Sequence, residues 1–121
     1  IYFLLVFFGG GLGAMCRYLI SILSNKLPNG FPLPTLIANV ISCLILGFLL
    51  SFFLDQEQSA NQKLFWMTGF CGGFSTFSTF SVENFELLLE GNFSVALLYI
   101  ITSVTICIFC IFLGWKLGSM L

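Results

Sequence analysis

The chain has 121 residues, of which 59% are hydrophobic and only 7% are charged, whereas about 25% of the residues in an average soluble protein are charged. This composition excludes an ordinary water-soluble domain and indicates a membrane protein. A net charge of −1 with only four basic residues excludes a nucleic-acid-binding surface, and the lack of histidine excludes histidine-ligated metals and Ser-His-Asp catalysis.

Four apolar segments follow one another along the chain, each about long enough to cross the hydrocarbon core of a bilayer as a helix. They cover about residues 1–24, 35–54, 64–82 and 93–118. Polar or turn-forming stretches at 25–34, 55–63 and 91–92 separate them. The sequence therefore predicts an all-α membrane protein in which residues 1–121 form a single transmembrane domain with four helices.

Basic residues are shared equally between the two sides of the predicted helix bundle. Lys63 and Lys116 lie on the side of the chain termini, and Arg17 and Lys26 lie on the other side. Because lysine and arginine near the ends of spans favour the cytoplasm, this balance predicts dual topology, with two opposite copies pairing into an antiparallel dimer. The alternative is that a flanking residue fixes one orientation.

The third segment concentrates hydroxyl groups at membrane depth. They belong to Ser75, Thr76, Ser78, Thr79 and Ser81. Hydroxyls in such a position either donate back to carbonyls one turn earlier or line a path for an ion. Their density favours the path.

Gly69, Gly72 and Gly73 precede these hydroxyls. Because glycine weakens a helix, the third helix is predicted to break near its middle and to expose carbonyl oxygens that suit a hard cation such as Na⁺. Close helix packing through small residues is the competing interpretation. In the first segment, Gly9 and Gly13 favour such a packing face.

Phe74, Phe77 and Phe80 recur every third residue, which predicts one slowly turning face of a helix. An aromatic stripe usually packs, but the positive edges of phenyl rings can also replace part of an anion's hydration. Two further side chains at membrane depth suit an anion. The guanidinium of Arg17 can draw it into a vestibule, and the amide of Asn39 can donate to it or bond across helices.

All five cysteines lie within apolar segments, which is typical of packed thiols and not of a disulfide framework. Cys107 and Cys110 have the spacing of a redox or zinc pair, but no second ligand pair accompanies them. They are therefore interpreted as packing residues.

Four stretches of the chain together resemble the Fluc (CrcB-type) fluoride channels along essentially its whole length. They are Gly9-Gly-Gly-Leu-Gly-Ala-Met-Cys-Arg-Tyr18, Pro34-Thr-Leu-Ile-Ala-Asn39, Gly69-Phe-Cys-Gly-Gly-Phe-Ser-Thr-Phe-Ser-Thr-Phe-Ser-Val-Glu83, and Tyr99 with Ser103 four residues later. The third stretch is highly specific, and the others are individually modest.

The resemblance implies an antiparallel homodimer with two fluoride pores and one structural Na⁺ on its two-fold axis. The Na⁺ would be bound by backbone carbonyls of Gly72 and Ser75 from both subunits. Arg17 would be a vestibule residue, and Ser78 and Glu83 are further candidates within the matching motif. The pore residues would be Phe77, Phe80, Asn39, Thr35, Thr79, Tyr99 and Ser103.

The function implied by this resemblance is passive, fluoride-selective export through the cell membrane, which relieves fluoride toxicity without ATP and without enzyme chemistry. The chain departs from the family pattern at Pro34, at Ser42-Cys43 and at Cys107, where a further hydroxyl would continue the face of Tyr99 and Ser103. Four alternatives stay open. They are pairing with a sister subunit, a proton-coupled multidrug exporter, a membrane subunit that only packs against a partner, and a membrane enzyme, for which the sequence offers no convincing set of acid, base and nucleophile.

Overall fold

The computed structural model describes residues 1–54 and 60–121. Helix α1 is Tyr2–Leu23, α2 is Leu33–Phe53, and α3 is Ala60–Lys63, which continues into a π-helix over Leu64–Cys71 and a last turn, α4, over Gly72–Phe74. After a break at residues 75–77 come α5 (Ser78–Leu89) and α6 (Phe93–Ser119). The described part of the chain contains helices and no strand.

Within the described ranges, α1, α2 and α6 are long and apolar enough, by length and composition, to cross a membrane. Helix α2 begins at Leu33, two residues before the predicted start, because Pro34 fits the first turn, where its missing N–H costs no intrahelical hydrogen bond. Residues 55–59 of the predicted polar stretch lie outside the described residues. The fold is that of an all-helical membrane protein.

The third segment is broken, but its break lies after the glycines and not among them. Gly72 and Gly73 are helical residues of α4, and the chain leaves helical geometry at Ser75, whose ψ angle is 158°. The predicted break near the middle of the third helix is therefore confirmed, and it follows directly after the glycines. The π-helix before the break is a rare form that is often found at functional sites.

Glycines close the seam between α1 and the third segment. A Cβ added at Gly13 would overlap the Phe70 carbonyl oxygen, and one added at Gly73 would overlap that of Gly10. Gly9 is equally close to the backbone of the third segment. The predicted packing face of α1 is confirmed, and Gly69 and Gly73 of the third segment serve the same close approach. Gly72 is exposed and takes no part in this seam.

A second glycine seam joins α2 and α6. Gly114 of α6 meets the carbonyl of Leu44, and Gly118 meets Ser51, so residue numbers rise together and the two helices run parallel. Gly47 closes this seam from the side of α2. The backbones of the two helices therefore fix each other's register.

Many large apolar side chains point outwards. On α1, for example, Phe3 is 92% exposed and Phe7 is 70% exposed, and exposed apolar side chains also run along α6. A surface of this kind suits lipid or a protein partner. Among the described residues, the buried core lies in two clusters, one around Tyr99 and one around Phe74.

Candidate functional site

The side-chain amide of Asn39 fixes the break of the third segment. Its Oδ1 accepts a hydrogen bond from the Thr76 N–H at 2.8 Å, and its Nδ2 donates to the Thr76 carbonyl at 3.3 Å. The amide thus satisfies both backbone groups of a residue that no longer belongs to a helix. A side-chain amide at membrane depth requires a polar partner, and the partner of Asn39 is the backbone of Thr76.

Side chains from α1 and α2 also bind the backbone just before the break. Arg17 Nε donates to the Gly73 carbonyl at 3.2 Å, and the buried Ser42 hydroxyl donates to the Cys71 carbonyl at 3.0 Å. The Ser75 hydroxyl bonds back to that same Cys71 carbonyl at 2.9 Å. Carbonyls at the end of this helical segment are therefore satisfied by side chains.

The carbonyls of Gly72 and Ser75 have lost their usual N–H partners to other acceptors. In a continuous helix the Gly72 carbonyl would accept from the Thr76 N–H, which donates to Asn39 instead. The Ser75 carbonyl would accept from the Thr79 N–H, which donates to the Thr76 hydroxyl at 3.2 Å. Gly72 is exposed and Ser75 is half-buried. Backbone oxygens with spare capacity are ligands that suit a hard cation.

The break lines an open groove of about 250 Å³ beside α2 and α6. The Ser103 hydroxyl in this groove is buried, and no group among the described residues hydrogen-bonds with it. Hydroxyl, amide and aromatic groups therefore converge here, including five residues predicted from the sequence. The groove is lined by Asn39, Cys43, Ser75, Thr76, Phe77, Phe80, Ser103, Val104 and Cys107.

Aromatic rings lead from this groove into the interior. The ring centroids of Phe77 and Phe80 are 5.6 Å apart, and that of Phe80 lies 4.9 Å from the ring of Tyr99. Phe77 is 78% exposed, whereas Tyr99 is fully buried. Phe74 does not join this series, because it is buried and packs on Phe70. The predicted face of three phenylalanines was wrong, since the break between Phe74 and Phe77 changes the rotation of the chain.

A smaller groove of about 120 Å³ shares Thr76 with the first. The predicted vestibule residue Arg17 supplies a positive charge there, beside the hydroxyls of Thr35 and Thr79. Tyr18, Ser21 and Pro34 complete its lining. The two neighbouring grooves thus contain eight of the twelve predicted site residues. The other four, Gly72, Ser78, Glu83 and Tyr99, line neither groove.

Glu83 and Tyr99 form a pair at the inner end of the ring series. The Tyr99 hydroxyl donates to Glu83 Oε1 at 3.1 Å, and Thr35 lies beside both side chains. Thr35 therefore connects this pair with the smaller groove. A buried tyrosine hydroxyl usually has such a partner, so the pair also stabilises the local packing.

The hydroxyls of the third segment divide between the two roles considered from the sequence. Ser75 and Ser81 donate back one turn, to the Cys71 and Phe77 carbonyls, at 2.9 Å in each case, so the packing alternative holds for both. Thr76 and Thr79 line grooves. The exposed Ser78 shares a hydrogen bond of 3.3 Å with the Thr76 hydroxyl. The path interpretation stays a prediction for the groove-lining hydroxyls.

The family of the chain is decided by a match over nearly its whole length. A family model described as CrcB-like protein, Camphor Resistance (CrcB), matches residues 4–115. The chain belongs to the CrcB family. Family members of this kind are ion channels and not enzymes, and this CrcB chain is a multi-pass membrane protein.

Relatives of this CrcB chain carry the name fluoride-specific ion channel FluC. The relative from Pyrococcus abyssi is 47% identical over 118 residues, which cover 95% of this chain and 94% of the relative. That from Clostridium perfringens is 43% identical over 120 residues, covering 98% and 94%. That from Thermus thermophilus is 39% identical over 120 residues, covering 98% and 96%.

Two helix ends of opposite polarity meet at the break in this CrcB chain. The helical segment before the break ends at Phe74, and α5 begins at Ser78. A helix carries a partial negative charge at its carboxyl end and a partial positive charge at its amino end. The break therefore offers a cation-favouring end and an anion-favouring end within a few residues.

Ser42 is the residue of the CrcB site that sequence reasoning missed. The sequence marks Ser42 only as a departure from the family pattern, yet its hydroxyl is buried and donates to the third segment. The available signal was a small polar residue inside the second apolar segment. Unless the facing Cys71 carbonyl is known, that signal does not distinguish a serine that only packs from one that donates a hydrogen bond to the backbone of the third segment.

Proposed function

We propose that this CrcB chain forms a passive, fluoride-selective channel that lets F⁻ leave the cytoplasm through the cell membrane. The observation that carries the proposal is the groove in which Asn39, Ser103, Phe77 and Phe80 converge. The relatives named as fluoride-specific ion channels support it.

The groove offers the kind of groups that a fluoride path needs. Fluoride is small and strongly hydrated, so a selective path must replace its water by several groups that each bind it weakly. The Ser103 hydroxyl, the second N–H of the Asn39 amide, and the ring edges of Phe77 and Phe80 can do this. These four groups carry no full charge, so they do not trap the anion. Arg17 in the smaller groove raises the local concentration of anions at the entrance.

The membrane potential sets the direction of transport. A potential that is negative inside favours the exit of an anion by about 2.3 kcal/mol per 100 mV. Net export therefore requires no ATP. Relief of fluoride toxicity is the proposed cellular purpose.

A second copy in the opposite orientation completes the proposed channel. The exposed backbone around Gly72 carries a carbonyl whose helical N–H partner is engaged elsewhere, and such a group is costly against lipid. A partner that covers it would remove this cost. The equal distribution of lysine and arginine supports opposite insertion of the two copies. A sister subunit in place of the second copy is the alternative.

A structural Na⁺ fits the same place. The carbonyls of Gly72 and Ser75 from both copies would bind it, and backbone oxygens suit this hard cation. The support is the diversion of the Thr76 and Thr79 N–H groups away from these two oxygens. In the proposed channel the Na⁺ is structural and is not transported.

Fluoride efflux from liposomes tests the channel directly. A K⁺ ionophore sets the voltage, and a fluoride electrode reads the release. We expect rapid release of fluoride without chloride from the unmodified chain, and a loss of at least about tenfold in Phe80→Ile, corresponding to about 1.4 kcal/mol. Phe85→Ile is the matched control, since Phe85 lies on the same helix, is 60% exposed and is outside the groove lining. Equal chloride release, or full activity of Phe80→Ile, would contradict the proposal.

The dimer and its Na⁺ need separate readouts. A tag at one terminus should be accessible from both sides of the membrane, and Na⁺ but not K⁺ should raise the thermal stability of protein purified without Na⁺. Accessibility from one side only would exclude dual topology. An equal response to both cations would exclude the specific Na⁺ site.

A further inference from the structure

Two thiols face each other at one end of the larger groove. Cys43 of α2 and Cys107 of α6 both line it. Each is half-buried, and the two side chains lie close enough to affect each other electrostatically. The remaining cysteines are arranged differently, because Cys71 and Cys110 are buried and Cys16 lies on α1.

The register of the parallel helices α2 and α6 places this pair. Because α2 and α6 run parallel, residues one turn apart on α2 lie opposite residues one turn apart on α6. In the direction of rising residue numbers, side chains face each other first, and the two backbones then come into contact. Where Gly47 meets the Ile111 carbonyl, an added Cβ has no room. The thiol pair is thus the last polar step before the helices close. The successive pairs are Thr35 with Tyr99, Asn39 with Ser103, Cys43 with Cys107, and Gly47 with Ile111.

We propose that Cys43 and Cys107 form a two-thiol binding site for a soft divalent metal ion of the Hg²⁺ class. Thiolate sulfur is the ligand that soft metal ions prefer. Two thiols on neighbouring helices that face each other can bind one ion together. Zinc would need about four ligands, and the described residues contain no group of three or more histidine, cysteine or acidic side chains that could bind a metal.

The binding reaction is balanced without an oxidant or a reductant. Each thiol loses its proton, two metal–sulfur bonds form, and two protons leave for each metal ion bound. Because two thiolates neutralise a divalent cation, the complex carries no net charge. A neutral complex avoids the cost of placing a charge at membrane depth.

The consequence for transport rests on the proposed function. The thiol pair lines the same groove as Ser103 and Phe80. A metal ion bound there would fill the closed end of the groove and exclude fluoride from it. The metal site itself does not depend on fluoride conduction.

Metal retention by the purified full chain tests the site. The probe is Hg²⁺ added at one equivalent, followed by a monothiol wash, intact-mass measurement and mapping of the cysteines that N-ethylmaleimide still labels. We expect one Hg²⁺ per chain, a mass gain of one mercury minus two hydrogens, and joint protection of Cys43 and Cys107. Cys43→Ser and Cys107→Ser should each retain at least about tenfold less mercury, about 1.4 kcal/mol, whereas Cys16→Ser should retain it fully.

Two results would overturn the site. They are full retention in the Cys43→Ser/Cys107→Ser double variant, and protection of Cys71 or Cys110 in place of the facing pair. Elution of each serine variant at the volume of the unmodified chain ensures that its loss of mercury does not reflect misfolding.

Fluoride efflux separates the site from the proposed function. Measured against the metal-free rate of each protein, efflux should stop on addition of Hg²⁺ in the unmodified chain and in Cys16→Ser, but should not change in Cys107→Ser. Retention of mercury together with undiminished efflux would support the metal site and overturn the fluoride path through this groove. Metal-free liposomes that release no fluoride would overturn the proposed channel, while the mass measurement would still decide the metal site.

Discussion

The glycine seams and the break of the third segment are stabilised by opposite means. At the seams side chains are absent, so that α1 and α6 each bring their backbone against a neighbour. At the break, side chains are essential, because Asn39 and Ser42 supply hydrogen bonds that the interrupted helix no longer provides. A seam is disrupted by an added methyl group, whereas the break is disrupted by loss of the Asn39 amide. The rigid frame of this channel-family protein thus depends on backbone contacts, and its candidate site depends on a few polar groups.

The largest effect is expected at a seam. In Gly13→Ala the new methyl group would overlap the Phe70 carbonyl oxygen, and the obstacle is backbone that cannot rotate away. Overpacking costs about 1–3 kcal/mol and occasionally more, so we expect the free energy of unfolding to fall by about 3 kcal/mol. Gel filtration and thermal unfolding in detergent would measure this.

Gly11→Ala is the matched control for the seam. Gly11 lies on the same helix and faces open space. Replacing a mid-helix glycine by alanine there should stabilise the protein by about 0.5–1 kcal/mol. If Gly13→Ala and Gly11→Ala unfolded alike, the seam would not be the constraint described here.

The next largest effect is expected at the break. Asn39→Ala leaves both backbone groups of Thr76 without their partner, and an unsatisfied buried group costs about 1–3 kcal/mol. We expect fluoride efflux to fall by about tenfold or more, with a smaller loss of thermal stability than in Gly13→Ala. Asn92→Ala removes a long-range hydrogen bond from an exposed loop and should leave efflux unchanged. Normal efflux in Asn39→Ala would show that the two hydrogen bonds between Asn39 and the Thr76 backbone are not needed for the fluoride path.

The smallest effect is expected for Ser42→Ala. It removes one donor to the Cys71 carbonyl, which keeps the Ser75 hydroxyl and the Ser75 N–H. The free energy of unfolding should fall by about 0.5–1.5 kcal/mol, with efflux largely retained. Ser119→Ala removes only an exposed bond within α6 and should change neither quantity. A loss of efflux as large as that of Asn39→Ala would place Ser42 in the path itself.

Hydropathy and small residues predicted much of the frame. The apolar segments 1–24, 35–54 and 93–118 correspond to the long helices α1, α2 and α6, and Gly9 and Gly13 were recognised as a packing face. These features depend on local composition and on the spacing of residues along one helix. Both can be read from a single chain without knowing its neighbours.

The three residues at which the third helix breaks could not be predicted in this way. Their position depends on Asn39 and Ser42, which belong to another helix and reach the third segment only in the folded chain. Glycine content indicated the preceding turn, where Gly69 and Gly73 serve close packing. The prediction that Phe74 shares a helix face with Phe77 and Phe80 failed because of this break. Residues spaced three apart lie on one face only while the helix is continuous.

The number of residues in the π-helix over Leu64–Cys71 determines how the rest of the third segment is rotated. Its hydrogen bonds span one residue more than those of an α-helix, and each residue of an α-helix turns the chain by about 100°. Losing a single residue there would rotate Thr76 away from Asn39 and Gly73 away from Gly10, although none of these four residues would have changed. A deletion in the π-helix would therefore change the register of every later residue in the third segment relative to its neighbouring helices, and the side chains that follow would point in new directions.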